Sequence, residues 1–456
     1  MPDEPAKASP LWKRRDRGCL AWPVLMAGLW LMLLPLSPTA FALDVSSGIP
    51  DAQQPVFNTT RIVLAWDAGH AVLTIDLGTP GQADGHALLL PIPGEVETQK
   101  IEAGDLSALE HLDDATAPRL TEVLEIPCAL PPLAPTSRDT MFSHRAKNDT
   151  GAYEAMVIAP VRIEEIEKHL YGSRFNLSQS IRSIIASYIK QKMRFILVRK
   201  ADKLSETRPP SAFQLLKISY DTKNFILPIR LNSNQGLQDI LLFTLTRHGR
   251  VEPANYITTK LKTDVKLPLF IRQDFSNFYQ AMFDRANRGD TPRSVLLEYF
   301  GSGESCLTCL APSLNVSDLR SLGATREIPK GGDSQNVYVT RLHARFDTTH
   351  FPEDLILNET RDRESFVARY LLPTLSTAQI ACPAGKDYQE SLSNSAWHQA
   401  QELQKLTGWP ASDIMIKMAE TGQSLRYTPH DTERGSCKNK FWKSPQINLH
   451  SLYMWR

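Results

Sequence analysis

The chain has 456 residues, with 51 basic and 50 acidic side chains and 42% hydrophobic residues. That balance excludes wholesale disorder, collagen and a simple coiled coil. A formal net charge of +1 leaves no electrostatic footprint for nucleic acid or an anionic membrane surface. At about 100–200 residues per domain, the length predicts two or three domains.

Residues 1–18 carry Lys7, Lys13, Arg14, Arg15 and Arg17, and residues 19–42 are almost free of polar side chains. The run ends in Ala40-Phe41-Ala42, a small-x-small pattern before Leu43. A basic segment, an apolar segment and a small-residue cleavage site are the three parts of a secretory signal, and they predict cleavage after Ala42. A retained inner-membrane anchor is the alternative, since a span needs about 20 apolar residues. Pro23, Pro35 and Pro38 interrupt the run and favour cleavage.

Further on, residues 61–66 and 70–77 predict two strands joined through Ala68-Gly69. In the second, Ala71, Leu73 and Ile75 alternate with His70, Val72, Thr74 and Asp76. Residues 85–93 predict a third strand and 106–114 a short helix. A strand is expected at 153–159. Helical spacing follows at Ile163, Ile166 and Leu170, then at Ile181, Ile184, Ile185, Tyr188 and Ile189 behind a capping Ser178. Residues 195–198 predict the next strand. The charged stretch 201–212, with Pro209-Pro210, is the expected domain boundary.

Residues 213–220, 225–231 and 240–247 predict an antiparallel meander. Phe275, Phe278, Tyr279, Met282 and Phe283 form an aromatic helix stripe, expected to be core packing. Thr291-Pro292 predicts the start of a short helix through Phe300, and Ser317 that of another. Strands are expected at 337–347, 355–357 and 366–372. Helices are expected at 396–406, stopped by Gly408, and at 412–418.

Strands and helices interleave without a regular βαβ beat, which predicts an α+β fold of mainly antiparallel sheets with packed helices in two lobes. The expected organisation is a signal peptide at 1–42, an N-terminal α+β lobe at 43–200, a second β-rich lobe with a helical insertion at 213–375, and a helical or irregular extension at 376–456.

Of the motifs, Cys306-Leu307-Thr308-Cys309 is the strongest. It follows Gly301-Ser302-Gly303 and precedes Pro312, so it falls in a loop, not at the start of a long helix where a thiol pKa is lowered. A zinc site needs a second close ligand pair, which Cys382 and Cys437 do not supply. In an oxidising compartment thiols pair. Cys306 and Cys309 are therefore disulfide candidates, with a redox-active pair as the alternative. Cys382 and Cys437 are further candidates; a long loop closed this way gains about 4 kcal/mol in the chain-entropy model. Cys128 is then odd, and its pairing with either one stays open.

No nucleophile elbow, Walker loop, HExxH or EF-hand pattern occurs, so no catalytic residue, metal ligand or cofactor is assigned. His343 and His350 are expected to be exposed strand and turn residues, and Glu353-Asp354 a solvated turn.

Several segments, in order, resemble the bacterial exported family known as domain of unknown function 2330. They include Arg61-Ile62-Val63-Leu64, Leu89-Leu90-Pro91-Ile92-Pro93, Tyr153-Glu154-Ala155-Met156-Val157 and Ile226-Leu227-Pro228-Ile229-Arg230-Leu231. The clearest is Tyr338-Val339-Thr340-Arg341-Leu342-His343-Ala344-Arg345-Phe346-Asp347, with Phe351-Pro352-Glu353-Asp354-Leu355 behind it. The resemblance spans about residues 55–375. It departs at residues 44–57, where the family often carries a cysteine and this chain has none. It implies export and a shared fold, but no reaction.

The expected function is that of a periplasmic or envelope protein that binds or scaffolds an envelope protein or small ligand. A thiol–disulfide enzyme using Cys306 and Cys309, and a hydrolase gathering His343 or Glu353 with a nucleophile, are the alternatives.

Overall fold

A computed structural model describes residues 43–44, 59–76, 87–125, 139–141, 152–170, 177–200, 211–212, 215–233, 237–288, 294–303, 314–326, 328, 336–375 and 383–423. Pairing among the described strands is mainly antiparallel, and helices pack between and over the sheets, so the chain is an α+β protein.

After β1 (Leu43–Asp44) come β2 (Thr59–Asp67) and β3 (His70–Asp76), a hairpin in which Asp67 faces His70. Its turn is Ala68-Gly69, and Gly69 adopts φ +108°, which glycine tolerates because it has no Cβ. Next are β4 (Ala87–Ile92), β5 (Ile101–Ala103) and α1 (Leu106–Thr116), capped by Asp105 accepting from the amides of Ser107 and Ala108. Three strands follow: β6 (Arg119–Glu125), β7 (Asp139–Met141) and β8 (Ala152–Ile158). Helices α2 (Ile163–Leu170) and α3 (Gln179–Lys190) lead into β9 (Arg194–Lys200). Ser178 caps α3 as expected, accepting from Ile181 N at 3.3 Å.

The middle of the chain contributes β10 (Ser211–Ala212), β11 (Leu215–Asp221), β12 (Ile226–Leu227), α4 (Arg230–Ser233), β13 (Gln238–Thr246), β14 (Val251–Pro253), β15 (Ile257–Lys260) and β16 (Val265–Lys266). The aromatic helix is α5 (Ile271–Asn287), followed by β17 (Ser294–Ser302) and α6 (Val316–Ser321). The described chain closes with β18 (Tyr338–Phe346), β19 (Leu355–Glu359), β20 (Phe366–Val367), β21 (Arg369–Leu375), α7 (Pro383–Thr407) and α8 (Ala411–Glu420). Gly408 ends α7 at φ +74°.

A large sheet runs β15-β17-β18-β13-β2-β3-β11-β5, with β20 beside β17. A five-stranded sheet runs β1-β4-β9-β8-β10, and smaller sheets run β16-β21-β6-β7 and β12-β19-β14. In the large sheet β2 and β3, from the start of the chain, thus lie together between β13 and β11. The five-stranded sheet packs on it: Leu90, Ile92, Ile196 and Val198 share a core cluster with Ile62, Leu64, Leu73, Ile75, Leu242 and Leu342. The opposite face of the large sheet carries Val63, Val72, Leu241, Phe243 and Val339, covered by Ala108, Leu109 and Leu112 of α1 and Leu319 of α6. The aromatic stripe of α5 is buried, as expected, against Ala396, Ala400 and Leu403 of α7 and Ile414 and Met418 of α8.

Three expectations fail. The stretch 291–300 holds no helix among its described residues; residues 294–300 belong to β17. Both faces of that strand are buried, so its apolar run has no alternation to separate it from a helix. Residues 213–247 are not a meander: β11 pairs with β3 and β5, β12 with β19, and β13 lies between β18 and β2. Residues 225–231 keep only a two-residue strand and then enter α4, because Ile226 and Leu227 pair with β19 and Asp354 holds the next amides.

Gly323, just past α6, offers a direct test of this packing. Its φ is +112°, and a Cβ there would lie 2.6 Å from Val72 Cβ and 3.4 Å from Ala65 Cβ on the sheet. We predict that Gly323→Ala destabilises the protein by about 1–3 kcal/mol through overpacking and backbone strain. Urea unfolding measures it; an unchanged midpoint would mean that α6 does not sit against β2 and β3.

Candidate functional site

Within its apolar contacts, the large sheet also meets α1 and α5 through buried ionisable side chains. Arg61 of β2 lies in the pair next to Ile62 and Ile75, beside Asp76 of β3. Its Nε and Nη2 donate to Asp76 Oδ2 at 3.0 and 2.7 Å, and its Nη1 lies 3.4 Å from Asp113 Oδ2 on α1. Asp113 also accepts at Oδ1 from Arg341 Nη1 of β18 at 2.6 Å. The same Nη1 reaches Asp113 O at 3.0 Å and Thr116 Oγ1 at 3.2 Å. Arg341 Nε donates to Glu298 Oε2 of β17 at 2.6 Å, and its guanidinium lies 5.2 Å from the centroid of the Phe243 ring.

Glu298 is aimed there by a β-bulge. The register runs Leu297 against Leu342 and then Tyr299 against Arg341, so Glu298 is the extra residue. A bulge re-aims a side chain and bends its strand. The other carboxylate oxygen, Oε1, accepts from the Tyr279 hydroxyl of α5 and lies 2.8 Å from His343 Nδ1. His343 stacks on Phe283 with ring centroids 3.7 Å apart. Arg119 of β6 donates from Nη2 to the carbonyls of Asp114 and Ala115 at 3.1 and 2.6 Å. It thereby satisfies the last turn of α1, where a cation is favoured.

The cluster is sealed. Arg341 and Glu298 are 0% exposed, Asp113 1%, and Arg61 and His343 2%. Burial works to raise the pKa of Glu298, but Arg341 and His343 outweigh it and hold the carboxyl well below its usual range. Burial, reinforced by Glu298, pushes the Tyr279 hydroxyl far upward, so it stays a neutral donor. Arg341 is lowered by burial and raised more by Asp113 and Glu298, which keeps it charged.

These are the residue types of a general acid–base site, but at this burial they act as a fastener. Coulomb attraction between unit charges at contact is several-fold stronger in a partly dry interior than in water. The uncompensated cost of a buried charge is larger still. Each charge therefore needs its partner, and the pairs clamp α1 and α5 onto the sheet. Arg345 adds a second clamp on α5, bonding Asp239 at 2.7 and 2.8 Å and Asp284 at 2.5 Å.

A separate node joins α3 to the three-stranded sheet. Asp354 Oδ1 accepts from the Tyr188 hydroxyl at 2.5 Å and from the amides of Ile229 and Arg230 at 2.9 and 3.2 Å; Oδ2 accepts from Arg230 Nε at 3.0 Å. Two surface clefts of about 270 and 240 Å³ flank α7. Lys262, Asp264, His398 and Glu402 line the larger, and Lys262 pairs with Glu402 across it.

Measured against the sequence, His343 is buried in the cluster, not exposed, because Glu298 and Tyr279 satisfy it under α5. Asp354 is part-buried at its node, while Glu353 stays exposed and faces Asn255. His343 and Glu353 are thus not brought together. Ala42, Cys128, Cys306, Cys309, Cys382 and Cys437 lie outside the described residues. Among the described residues no helix is long and apolar enough to cross a membrane, and no group of His, Cys, Asp or Glu has metal-holding geometry. Arg61, Asp113, Glu298, Arg341, Tyr188 and Arg230 escape a motif search. Their signal is charge inside apolar strands: Arg61 before Ile62-Val63-Leu64, Glu298 inside Leu296-Leu297-Glu298-Tyr299, and Arg341 and His343 within β18.

An α+β protein with its ionisable centre sealed under two helices is the class this geometry defines. The chain belongs to a bacterial family described as an uncharacterized protein conserved in bacteria, DUF2330, which matches residues 41–358. No curated protein matches it. Among solved structures, it is similar to baculovirus P35 at 10% identity, over 67% of this chain and 96% of that one, with a TM-score of 0.28. A mutated baculovirus P35 after caspase cleavage, solved at 2.7 Å, gives 11% identity, 66% and 100% coverage and a TM-score of 0.26.

The fastening role has a pH signature. Glu298→Gln removes the charge facing Arg341, and we predict a loss of about 3–5 kcal/mol at neutral pH. The folded-state pKa of Glu298 lies below its unfolded value of about 4.3. Its contribution is therefore full above that value and is lost as pH falls through the folded one. Urea titrations from pH 7 to pH 3 should show the stability gap between the native chain and the variant narrowing below about pH 4.5. A gap that stays constant on acidification would contradict the assignment.

Proposed function

We propose that this chain is an exported protein of the bacterial cell envelope that binds or scaffolds a partner and catalyses no reaction of its own. The observation that carries the reading is the sealing of the Tyr279–Glu298–His343–Arg341 constellation at or near zero exposure. Acid–base catalysis needs the titrating atom within hydrogen-bond reach of a substrate proton, and here α1 and α5 occupy that space. Small-molecule sites usually enclose about 300–1,000 Å³. The two clefts beside α7, at about 270 and 240 Å³, are smaller than that range.

Export is supported by the basic start, the apolar run and Ala40-Phe41-Ala42. The bacterial family adds to this, because its match begins at residue 41, where that run ends. In an oxidising compartment Cys306 and Cys309, and Cys382 with Cys437, would serve as staples.

Fractionation of bacteria expressing the chain with a C-terminal tag tests the export reading. The expected result is release by osmotic shock with thiols resistant to alkylation until reduced. Full-length chain in the cytoplasm with every thiol free to alkylate would overturn it. The non-catalytic reading is tested with panels of ester, phosphate-ester, glycoside and disulfide substrates. Turnover that falls at least tenfold in Tyr279→Phe, with folding retained, would overturn that part.

A further inference from the structure

Three boundaries fall within three residues of one another. The small-x-small pattern ends at Ala42, β1 begins at Leu43, and the family match begins at residue 41. β1 is the edge of the five-stranded sheet, pairing antiparallel with β4 so that Leu43 faces Leu89 and Asp44 faces Leu88. The other side of β4 is fully engaged, from Ala87 to Ile92, by β9. Without β1, the outer side of β4 would present unpaired backbone N–H and C=O groups, the usual liability of a sheet edge. β4 also contains Pro91, which lacks an N–H and is tolerated beside an edge.

We propose that cleavage after Ala42 produces a docking strap: Leu43 becomes the first residue of the mature protein and, with Asp44, closes the outer edge of β4. This rests on the export reading above. Hydrolysis breaks the bond between the Ala42 carbonyl carbon and the Leu43 nitrogen. Water supplies the oxygen that leaves Ala42 as a carboxylate, and both of its protons go to the Leu43 nitrogen, which becomes an ammonium group. A peptidase holds its substrate extended through main-chain hydrogen bonds, as an added strand. The first two residues beyond the bond are the ones β4 engages in the folded chain. Cutting and docking therefore compete for the same backbone groups, and the cut comes first.

The test has three readouts. N-terminal sequencing of the exported protein is expected to begin at Leu43, and any other first residue overturns the proposal. Full-length chain is next presented to purified signal peptidase in detergent, either folded or freshly diluted from urea. Cleavage of the folded chain is expected to be at least tenfold slower, and equal rates overturn it. Finally, hydrogen exchange is compared between the exported protein and its Asp44→Pro variant, in which φ is locked and a donor removed. Faster deuterium uptake is expected across residues 87–92, with β9 (residues 194–200), on the side of β4 away from the strap, less affected; unchanged uptake in β4 overturns the strap. Retention of uncleaved chain in the cytoplasm instead sinks the export reading, which separates the two failures.

Discussion

The contact on which the rest of the structure depends is the ion pair between Arg341 and Glu298, with Asp113 on the far side of the guanidinium. Each of these side chains is essentially without solvent exposure. A lone charge in such a place costs more than most folded domains can spare, since net stabilities are only about 5–15 kcal/mol. The partners must therefore arrive together, from β18, β17 and α1. The bulge places both Glu298 and Tyr299 opposite Arg341, between Leu297 against Leu342 and Phe300 against Thr340. The same requirement sets where α1 sits, because Asp113 spans Arg61 and Arg341 with its two oxygens. Thr116 and Arg119 then fix the last turn of that helix.

The same logic extends outward with decreasing burial. α5 is held at Tyr279 by Glu298 and near its C-terminal end at Asp284 by Arg345. α7 and α8 are tied by more exposed pairs, Glu402 with Lys262 and Lys417 with Asp274. Pairs of that exposure contribute about 0–1 kcal/mol each, so these outer helices depend mainly on Leu403, Ile414 and Met418. A gradient of attachment follows, firm at the sheet and looser toward α8.

Legibility in the sequence followed the range of the interactions. The β2–β3 hairpin, the capped α3, the stripe of α5 and the long β18 are set by neighbours within a few residues, and pattern reading places them. Strand partners are not local. β13 lies parallel to β2, nearly two hundred residues earlier, so nothing between residues 213 and 247 could identify its neighbours. The buried cluster escaped for a different reason. Arg341 and His343 alternate with Leu342 and Ala344, which looks like a half-solvated strand. Only Glu298, with apolar or aromatic residues on both sides, contradicts an exposed reading on its own. A charge within a run long enough to be a buried strand is the clue that was available.

Sheet edges connect this architecture to the chain's beginning. The large sheet ends in two short strands, β5 with three residues and β15 with four. Short edges limit pairing with other chains, and Lys260 at the end of β15 adds charge there. β4 is different: it is longer, and Leu89 and Leu90 are buried in two different core clusters, so it cannot be shortened or made polar without loss of packing. Covering it with a separate strand is the remaining solution. Leu43 and Asp44 supply that strand, standing immediately after the apolar run of residues 19–42. The early position of β1 is thus explained by the edge it covers.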